Sequence, residues 1–261
     1  RTREPDAGIA LAVRRWASGA SLVEVLLEAD LAAGDLVRWC RQLLDLLDLV
    51  ALGTVADVAQ LRGLNRAFVT QGLKVMAQRR NPGLAALADA ARLNRAPTCA
   101  DLGWALGPRI NAGGRVGKSD LGVRLLTTDD AAEAETIAAE LDRLNEERRS
   151  IETIVCEAAE ALCAAQGNRA VALVAGPGWH PGVIGIVAGR LKEKLHKPAI
   201  VVALDGGTGK GSGRSIAGAD LGAAVLAAVD SGLLIAGGGH AMAAGLTVAE
   251  DKLAALADFL D

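Results

Sequence analysis

The last third of the chain alternates short apolar runs with helical patterns, and this alternation limits the fold more than any other feature. Strands are predicted at 170–174, 199–204 and 246–248, and helices at 183–195, 221–229 and 251–260. Such alternation favours a mixed or parallel sheet with helices on its faces. The sequence therefore predicts an α/β fold for the region that follows Gly167.

The region before Gly167 is predicted to be mostly helical. Residues 1–46 have helical spacing, and Ser21 with Glu24 forms a capping-box pattern at the start of one helix. Two further helices are expected at 65–79 and 83–92. The N-terminal part of the chain is therefore expected to consist of short helices.

A long helix is predicted from Asp130 to about Gln166, after a shorter helix that starts near Thr98. Its apolar stripe follows helical spacing and is interrupted by Arg148; its members are Ile137, Leu141, Leu144, Ile151 and Val155. This helix is either a connection between two lobes or a plain surface helix. A domain boundary is expected in it or close to it.

The short apolar run 49–57 differs from the helical segments around it and ends in Asp57. The run predicts a buried strand that delivers Asp57 to its end, where α/β proteins place chemistry. The alternative is that Asp57 caps the helix that follows.

Composition and charge limit how the chain can bind a nucleic acid and where in the cell it is expected to be. The 261-residue chain has a net charge of −3, so a nucleic-acid ligand has to be bound by local arginine clusters rather than by a global positive field. No signal peptide and no apolar run of about 20 residues is recognisable, which predicts a soluble cytoplasmic protein with no membrane partner. The cysteines lack CxxC spacing and are predicted to be small buried side chains: Cys40, Cys99, Cys156 and Cys163.

Three glycine-rich segments, 109–115, 211–215 and 237–245, are predicted to be loops that bind an anion. Glycine lets an anion approach the backbone N–H groups, and arginine donates forked, charge-assisted hydrogen bonds to phosphate. The segments therefore predict a phosphate-bearing ligand; the alternative is glycine turns beside solvated arginines. The candidate ligand-binding residues are Arg109, Asn111, Arg115, Ser212, Arg214, Ser215, Gly238, Gly239 and His240.

The three histidines of the chain lie far downstream of Asp57. His180 precedes Pro181 at a predicted helix start, where free N–H groups favour an anion, so it is a further ligand-binding candidate, with a structural role as the alternative. His240 lies among glycines that leave it little to pack against. His196 closes a predicted helix and is expected to be structural.

Five sequence blocks together resemble the RecJ family, the single-strand-specific 5′→3′ DNA exonucleases of the DHH phosphoesterase superfamily. The blocks occur in order at 49–57, 107–115, 179–185, 211–215 and 237–245. The resemblance implies a partial DHH-like lobe (47–130), a connecting helix (131–166) and a DHH-associated nucleic-acid-binding domain (167–261), after the helical segment 1–46.

The resemblance also implies function. It implies phosphodiester hydrolysis with Mn²⁺ or Mg²⁺, with single-stranded DNA or another nucleic acid held between the lobes. Two such cations can activate a water and stabilise the leaving oxygen. Asp57 matches the last metal-binding aspartate of the family and would be catalytic; the arginine, serine, glycine and histidine candidates would hold the substrate.

The other metal-binding motifs of the family do not occur in this sequence. The chain contains no Asp-His-His and no Asp-x-Asp, and one carboxylate cannot hold a two-metal centre. Residues 15–19 and 34–47 resemble the C-terminal helical domain of Ski-type RNA helicases. The sequence is therefore a fragment, a chimera or a diverged natural protein.

Three functions follow from these observations. The first is a RecJ-like exonuclease acting on single-stranded DNA. The second is a catalytically inactive module that binds nucleic-acid backbone or nucleotide phosphate. The third is another DHH-type phosphodiesterase that acts on short oligonucleotides or cyclic dinucleotides.

Overall fold

The computed structural model describes residues 44–261, which form two compact units. The described part of the first unit comprises residues 44–80 and 95–103, and the second comprises Asn81–Asn94 and Trp104–Asp261. The predicted helices of the N-terminal segment lie outside the described residues.

The first unit is built on two helices, α1 (Leu47–Ala56) and α2 (Gly63–Met76). Gly72 allows them to approach closely, since a Cβ in its place would lie only 2.1 Å from the carbonyl oxygen of Leu47. The strand predicted at 49–57 is wrong, since this run forms most of α1. A short apolar run does not distinguish a strand from a buried helix by its spacing.

Asp57 therefore lies at the C-terminal end of a helix, where it is exposed. Its backbone N–H donates to the carbonyl of Gly53. The alternative prediction, that Asp57 caps the next helix, is also wrong, because α2 begins at Gly63 after Arg62.

Several further helical segments precede the long helix. They are α3 (Pro82–Ala90), α4 (Cys99–Asp101), a π-helical turn (Leu102–Leu106), α5 (Gly107–Val116) and α6 (Leu121–Thr127). Asn81 caps α3, and Thr98 caps α4, where the backbone N–H of Thr98 donates in return to the Asp101 carboxylate. The helices predicted at 65–79, at 83–92 and after Thr98 are thus confirmed within a few residues.

The segment 109–115, predicted to be a loop, lies in helix α5 instead. Pro108 is tolerated because it occupies the first turn, where its missing N–H has no helical partner. Gly113 is buried, and a Cβ there would lie 3.0 Å from the carbonyl of Lys118 and 3.2 Å from Leu141. The glycine thus reflects close packing within the second unit rather than a flexible loop.

The long helix α7 spans Ala131–Ala165, as predicted. The Asp130 carboxylate caps it by accepting from the N–H groups of Ala132 and Glu133. The predicted stripe faces inward, with Ile137, Leu141, Leu144 and Val155 buried. Ile151 is partly buried against the same core.

The second unit contains a five-stranded sheet of order β1-β2-β3-β5-β4. The strands are β1 (Ala172–Pro177), β2 (Ala199–Asp205), β3 (Thr208–Arg214), β4 (Ala236–His240) and β5 (Ala243–Ala249), and the helices between and after them are α8 (Pro181–Leu195), α9 (Leu221–Asp230) and α10 (Leu253–Leu260). Strands β1 and β2 are parallel and the other pairs are antiparallel. The α/β class and the mixed sheet are therefore confirmed.

Two apolar layers cover the sheet. Helices α7 and α8 pack on one face of β1 and β2 through residues such as Val155, Val187 and Val201. Helices α9 and α10 pack on the other face through residues such as Val225 and Leu256. Each such side chain, when fully buried, stabilises the fold by about 1.5–3 kcal/mol. These layers fix the sheet on which the candidate site lies.

The segments 211–215 and 237–245, predicted to be loops, are mostly strand. In β3, Gly209, Gly211 and Gly213 alternate with polar residues and point into the core. A Cβ at these positions would lie 2.4 to 2.6 Å from Val202, Leu246 or Leu221. Glycine is needed here to admit neighbouring aliphatic side chains, so the loop prediction is wrong for a packing reason.

Candidate nucleic-acid interface

Strands β3, β5 and β4 present two rows of small and polar residues on one side of the sheet. Ser212 pairs with Gly245, which pairs with Gly238. In the next row Arg214 pairs with Ala243, which pairs with His240. We refer to the side of the sheet formed by these six residues as the open face. It brings together four of the predicted ligand-binding residues: Ser212, Arg214, Gly238 and His240.

Arg214 is held in place at the edge of the open face. Its Nη1 donates to Ser212 Oγ at 3.1 Å and to the carbonyl of Gly213 at 2.8 Å. Helix α8 passes close by at Gly185, which has no side chain. A Cβ at this position would lie 3.0 Å from Ser212 Oγ and 3.1 Å from Arg214 Nη2. The strand and the helix together therefore fix one guanidinium beside one hydroxyl.

A second predicted residue, Arg115, lies at the end of α5 close to the start of α8. Its Nη1 donates to the carbonyl of Gly182 at 3.1 Å. The two helices touch at this point, since a Cβ at Gly182 would lie 2.2 Å from the carbonyl oxygen of Arg115. Burial lowers the pKa of Arg115, and the positive charges of Arg148 and Arg214 lower it further.

Arg148 and Arg214 are therefore both close enough to Arg115 for their positive charges to repel its guanidinium. One buried carboxylate, Glu152 of α7, offsets part of this charge through ion pairs with Arg148 and Arg190. Asn145 Oδ1 accepts from Arg148 at 3.0 Å. Repulsion among half-buried guanidiniums is relieved when an anion binds between them.

Sequence reasoning did not identify Glu152, Gly182 or Gly185 as part of this cluster. The available signal was Arg148, the charged residue that interrupts the apolar stripe of α7. A charge in a buried stripe requires a partner, and Glu152 lies one helical turn further along the same helix.

His240 and Gly239 lie in the hairpin that closes the open face. His240 is exposed, and its Nδ1 accepts from the N–H of Met242 at 3.3 Å. Gly239 pairs with Ala244, and a Cβ there would lie 2.3 Å from the carbonyl of Ala243. Gly239 thus serves the close packing of the hairpin, whereas His240 presents an imidazole to solvent.

His180 caps helix α8. Its Nδ1 accepts from the N–H of Gly182 at 3.0 Å, so in the neutral ring Nε2 carries the proton and is a donor. The ring is half-buried. His196 ends the same helix in a left-handed conformation (φ 53°), in agreement with the structural role predicted for it.

The remaining candidates make other contacts. Arg109 donates to Asp142 at 2.8 Å and to the carbonyl of Ala105. Ser215 is buried, and its hydroxyl donates to the carbonyl of Ala219. Asn111 is exposed on α5. Their contact with a ligand stays a prediction, and the intramolecular bonds of Arg109 and Ser215 favour structural roles.

Asp57 is the one residue that the sequence assigns to a metal. Among residues 44–261, no group of three or more histidine, cysteine, aspartate or glutamate side chains is placed to hold a metal ion. The described residues therefore do not fit a two-metal centre. Within the same range, no helix is long and apolar enough to cross a membrane.

Family models match the two ends of the chain. Residues 166–261 match the DHHA1 domain, and residues 1–71 match the DSHCT (NUC185) domain. The C-terminal part of the chain is therefore a DHHA1-like α/β domain. A protein described as the probable helicase HelY of Mycobacterium tuberculosis is 48% identical over 56 residues, which cover 19% of this chain and 6% of that protein.

About four-fifths of the chain is similar in sequence to proteins named RecJ exonucleases. The single-stranded-DNA-specific exonuclease RecJ of Dickeya dadantii is 46% identical over 220 residues, which cover 80% of this chain and 38% of the relative. RecJ of Thermus thermophilus is 39% identical over 207 residues, which cover 79% of this chain and 30% of the relative. The predicted resemblance to the RecJ family is confirmed, and so is the helicase-like resemblance of the N-terminal residues.

Solved structures support the same conclusion. The crystal structure of RecJ from Thermus thermophilus in complex with Mn²⁺ superimposes with a TM-score of 0.74 at 38% identity. The match covers 83% of this chain and 32% of that protein. A second structure of RecJ from the same organism is a complex with Mg²⁺. The chain thus spans about a third of the length of the RecJ proteins that it matches.

Proposed function

We propose that the open face binds the phosphate backbone of single-stranded DNA, and that the described residues do so without hydrolysing the strand. The observation that carries the proposal is the cluster of Arg115, Arg148 and Arg214 beside Ser212. Half-buried guanidiniums that repel one another are suited to bind a phosphate, which several charge-assisted hydrogen bonds can hold at once. Similarity to proteins named single-stranded-DNA-specific exonucleases supports the choice of ligand.

The open face is also shaped for a chain rather than for a compact anion. Gly245 and Gly238 carry no side chains, so an extended strand can lie close to the sheet next to Ser212. Contacts of this type position the backbone and do not read the base sequence. We therefore expect binding with little sequence preference and with strong dependence on salt.

The proposal is tested by binding of a fluorescent oligothymidylate in EDTA, with Arg214→Ala as the variant. Loss of one phosphate contact is expected to weaken binding about tenfold and to make the plot of log K against log salt concentration shallower by about 0.7. Arg143→Ala is the matched control, because Arg143 forms exposed ion pairs with Glu140 and Glu147 on α7. Equal binding by both variants would contradict the proposal.

RecJ-like 5′→3′ exonuclease activity is the second candidate function. The extent of similarity to RecJ proteins and the match of Asp57 to a metal-binding aspartate favour it. Hydrolysis with Mn²⁺ or Mg²⁺ would require metal ligands in addition to Asp57, and residues 44–261 do not group them. Mn²⁺-dependent cleavage that Asp57→Ala abolishes would support this candidate over the first.

A further inference from the structure

A cavity of about 540 Å³ lies at the carboxyl ends of the parallel strands β1 and β2. Its lining includes Trp179, His180, Asp205, Thr208 and Lys210. Pockets that bind small organic ligands have volumes of roughly 300–1,000 Å³, so this cavity is large enough for a nucleoside. The ends of parallel strands are also the usual position of ligands in α/β folds.

The cavity continues the row of polar residues that leads to the open face. Lys210 lies two residues before Ser212 on β3, and Ser212 lies two residues before Arg214, so all three side chains are on the same side of the strand. Successive members of this row are about 6.8 Å apart along the strand. This spacing allows consecutive phosphates of an extended single strand to contact consecutive members of the row.

Trp179 gives the cavity a rigid aromatic wall. The indole packs directly against β1 at Gly176, where a Cβ would lie only 2.4 Å from the ring. It is half-buried against the apolar layer formed by α7 and α8. A fixed aromatic ring is the group on which single-strand-binding proteins stack bases, and stacking accepts any base.

The charged residues of the cavity determine how a nucleotide would be oriented. The ammonium group of Lys210 attracts phosphate on the side of Ser212, whereas the carboxylate of Asp205 repels it. Asp205 and the Nε2–H of His180 instead offer an acceptor and a donor to a base. The phosphate therefore belongs at Lys210 and the base belongs against Trp179.

We infer that this cavity is a nucleobase subsite for a single strand whose backbone follows the row Arg214, Ser212 and Lys210. The inference rests on the proposed function, because the strand reaches the cavity from the open face. It adds a base-stacking position to a surface that otherwise contacts only the backbone. A free mononucleotide has the same chemistry, so its binding has to be measured separately.

The experiment uses the full chain in EDTA and a set of nine-nucleotide strands, each with one abasic site at a different position. Fluorescence anisotropy is expected to identify one position at which loss of the base weakens binding about tenfold, the usual effect of one stacked base. In Trp179→Leu this position is expected to become equivalent to its neighbours. Deoxyadenosine monophosphate is expected to compete at least a hundredfold less well than the intact strand.

Lys210→Gln provides a second test that does not depend on the packing of Trp179. Lys210 is exposed, so its replacement leaves the core intact; we expect weaker binding by about tenfold and a shallower salt dependence. Lys252→Gln is the matched control, since Lys252 is exposed next to α10, the helix that covers the other face of the sheet.

The possible results separate the two proposals. If no abasic position stands out and Lys210→Gln binds normally while Arg214→Ala binds weakly, the cavity is not a base subsite and the open face still binds DNA. If the unaltered chain binds no strand, both proposals are wrong. If the mononucleotide binds as tightly as the strand, the cavity is a separate nucleotide site and the continuous path is wrong.

Discussion

At the scale of single residues, two glycines of α8 determine where Arg115 and Arg214 can lie. Gly182 admits the backbone of Arg115, and Gly185 admits Ser212 and Arg214. Glycine inside a helix costs about 0.5–1 kcal/mol relative to alanine, so these positions sacrifice helix stability for close contact. Gly189, further along the same helix, has no atom within 4 Å of the position that a Cβ would take.

This contrast gives a matched pair of substitutions in one helix. Gly185→Ala is expected to displace Arg214 and Ser212 by a few tenths of an ångström and to weaken oligonucleotide binding several-fold. Gly189→Ala is expected to leave binding unchanged and to stabilise the protein by about 0.5–1 kcal/mol. Binding isotherms and thermal unfolding of both variants check the prediction, which is wrong if Gly189→Ala weakens binding as much as Gly185→Ala.

A second prediction at this scale concerns the buried carboxyl group of Asp48. Burial raises its pKa above the usual 3.8, against the opposing effect of the hydrogen bond from the N–H of Leu49, and Asp45 raises it further. The folded-state pKa is higher than the unfolded-state pKa. The free energy of unfolding therefore falls as the pH rises from the ordinary pKa of 3.8 through the raised folded-state pKa, and it stays lower at neutral pH.

Asp48→Asn removes the cost of this charge. The variant is expected to have a higher Tm than the unaltered chain at pH 7, and the difference is expected to disappear as the pH falls below 3.8, the ordinary pKa of the group. Asp129→Asn is the control, since Asp129 is exposed in the turn before α7, away from Asp48 in the sequence. A lower Tm for Asp48→Asn at pH 7 would contradict the account.

At the scale of elements, the sequence predicted the regular helices and the apolar strands after Gly167 well, and it predicted the apolar run 49–57 and the glycine-rich elements poorly. The long helix α7 was predictable because Asp130 marks its start and its apolar stripe keeps one period. Strand β3 was not, because its inward positions are glycines. Their role depends on Val202, Leu221 and Leu246, which belong to other elements of the fold.

The candidate site was predictable in part for the same reason. Arg214, Ser212 and His240 were identified from their glycine neighbours, and the strand register places them on one face. Arg109 had the same local sequence character, yet its guanidinium is bound to Asp142. Which arginines face a ligand depends on partners distant in sequence, so sequence alone could not separate them.

The cap of α4 depends on the charge of one carboxylate, Asp101. Asp101 receives hydrogen bonds from Arg95, Thr98 Oγ1 and the N–H of Thr98, and the guanidinium of Arg95 is the main cause that lowers the pKa of Asp101 to about 2. Because the folded-state pKa is depressed, the stabilisation is present above pH 3.8 and is lost as the pH falls toward 2.

Asp101→Asn keeps the shape of the cap and removes its charge. We expect a loss of about 1 kcal/mol in the free energy of unfolding at pH 7, and convergence with the unaltered chain near pH 2. Urea titrations at several pH values measure both quantities. Asp230→Asn, at the exposed end of α9, should show no such pH dependence; an equal effect from both substitutions would argue against the cap.

At the scale of the whole molecule, the chain combines regions with different relatives. Residues 1–71 match the DSHCT domain, and residues 166–261 match the DHHA1 domain. Similarity to RecJ extends over about 80% of the chain, although the match spans only 30–38% of the RecJ proteins themselves. In the part of the chain that the structure describes, no group of three or more histidine, cysteine, aspartate or glutamate side chains is placed to hold a metal ion, so binding of nucleic acid without hydrolysis is what we propose for these residues.

The most direct test of this account compares binding and cleavage of the same strand by the same protein. A 5′-phosphorylated, 3′-labelled single strand is incubated with the full chain in Mn²⁺, and binding is measured in parallel in EDTA, with Asp57→Ala as the variant. We expect binding by both proteins and cleavage by neither. Mn²⁺-dependent release of nucleotides by the unaltered chain, lost in Asp57→Ala, would contradict it.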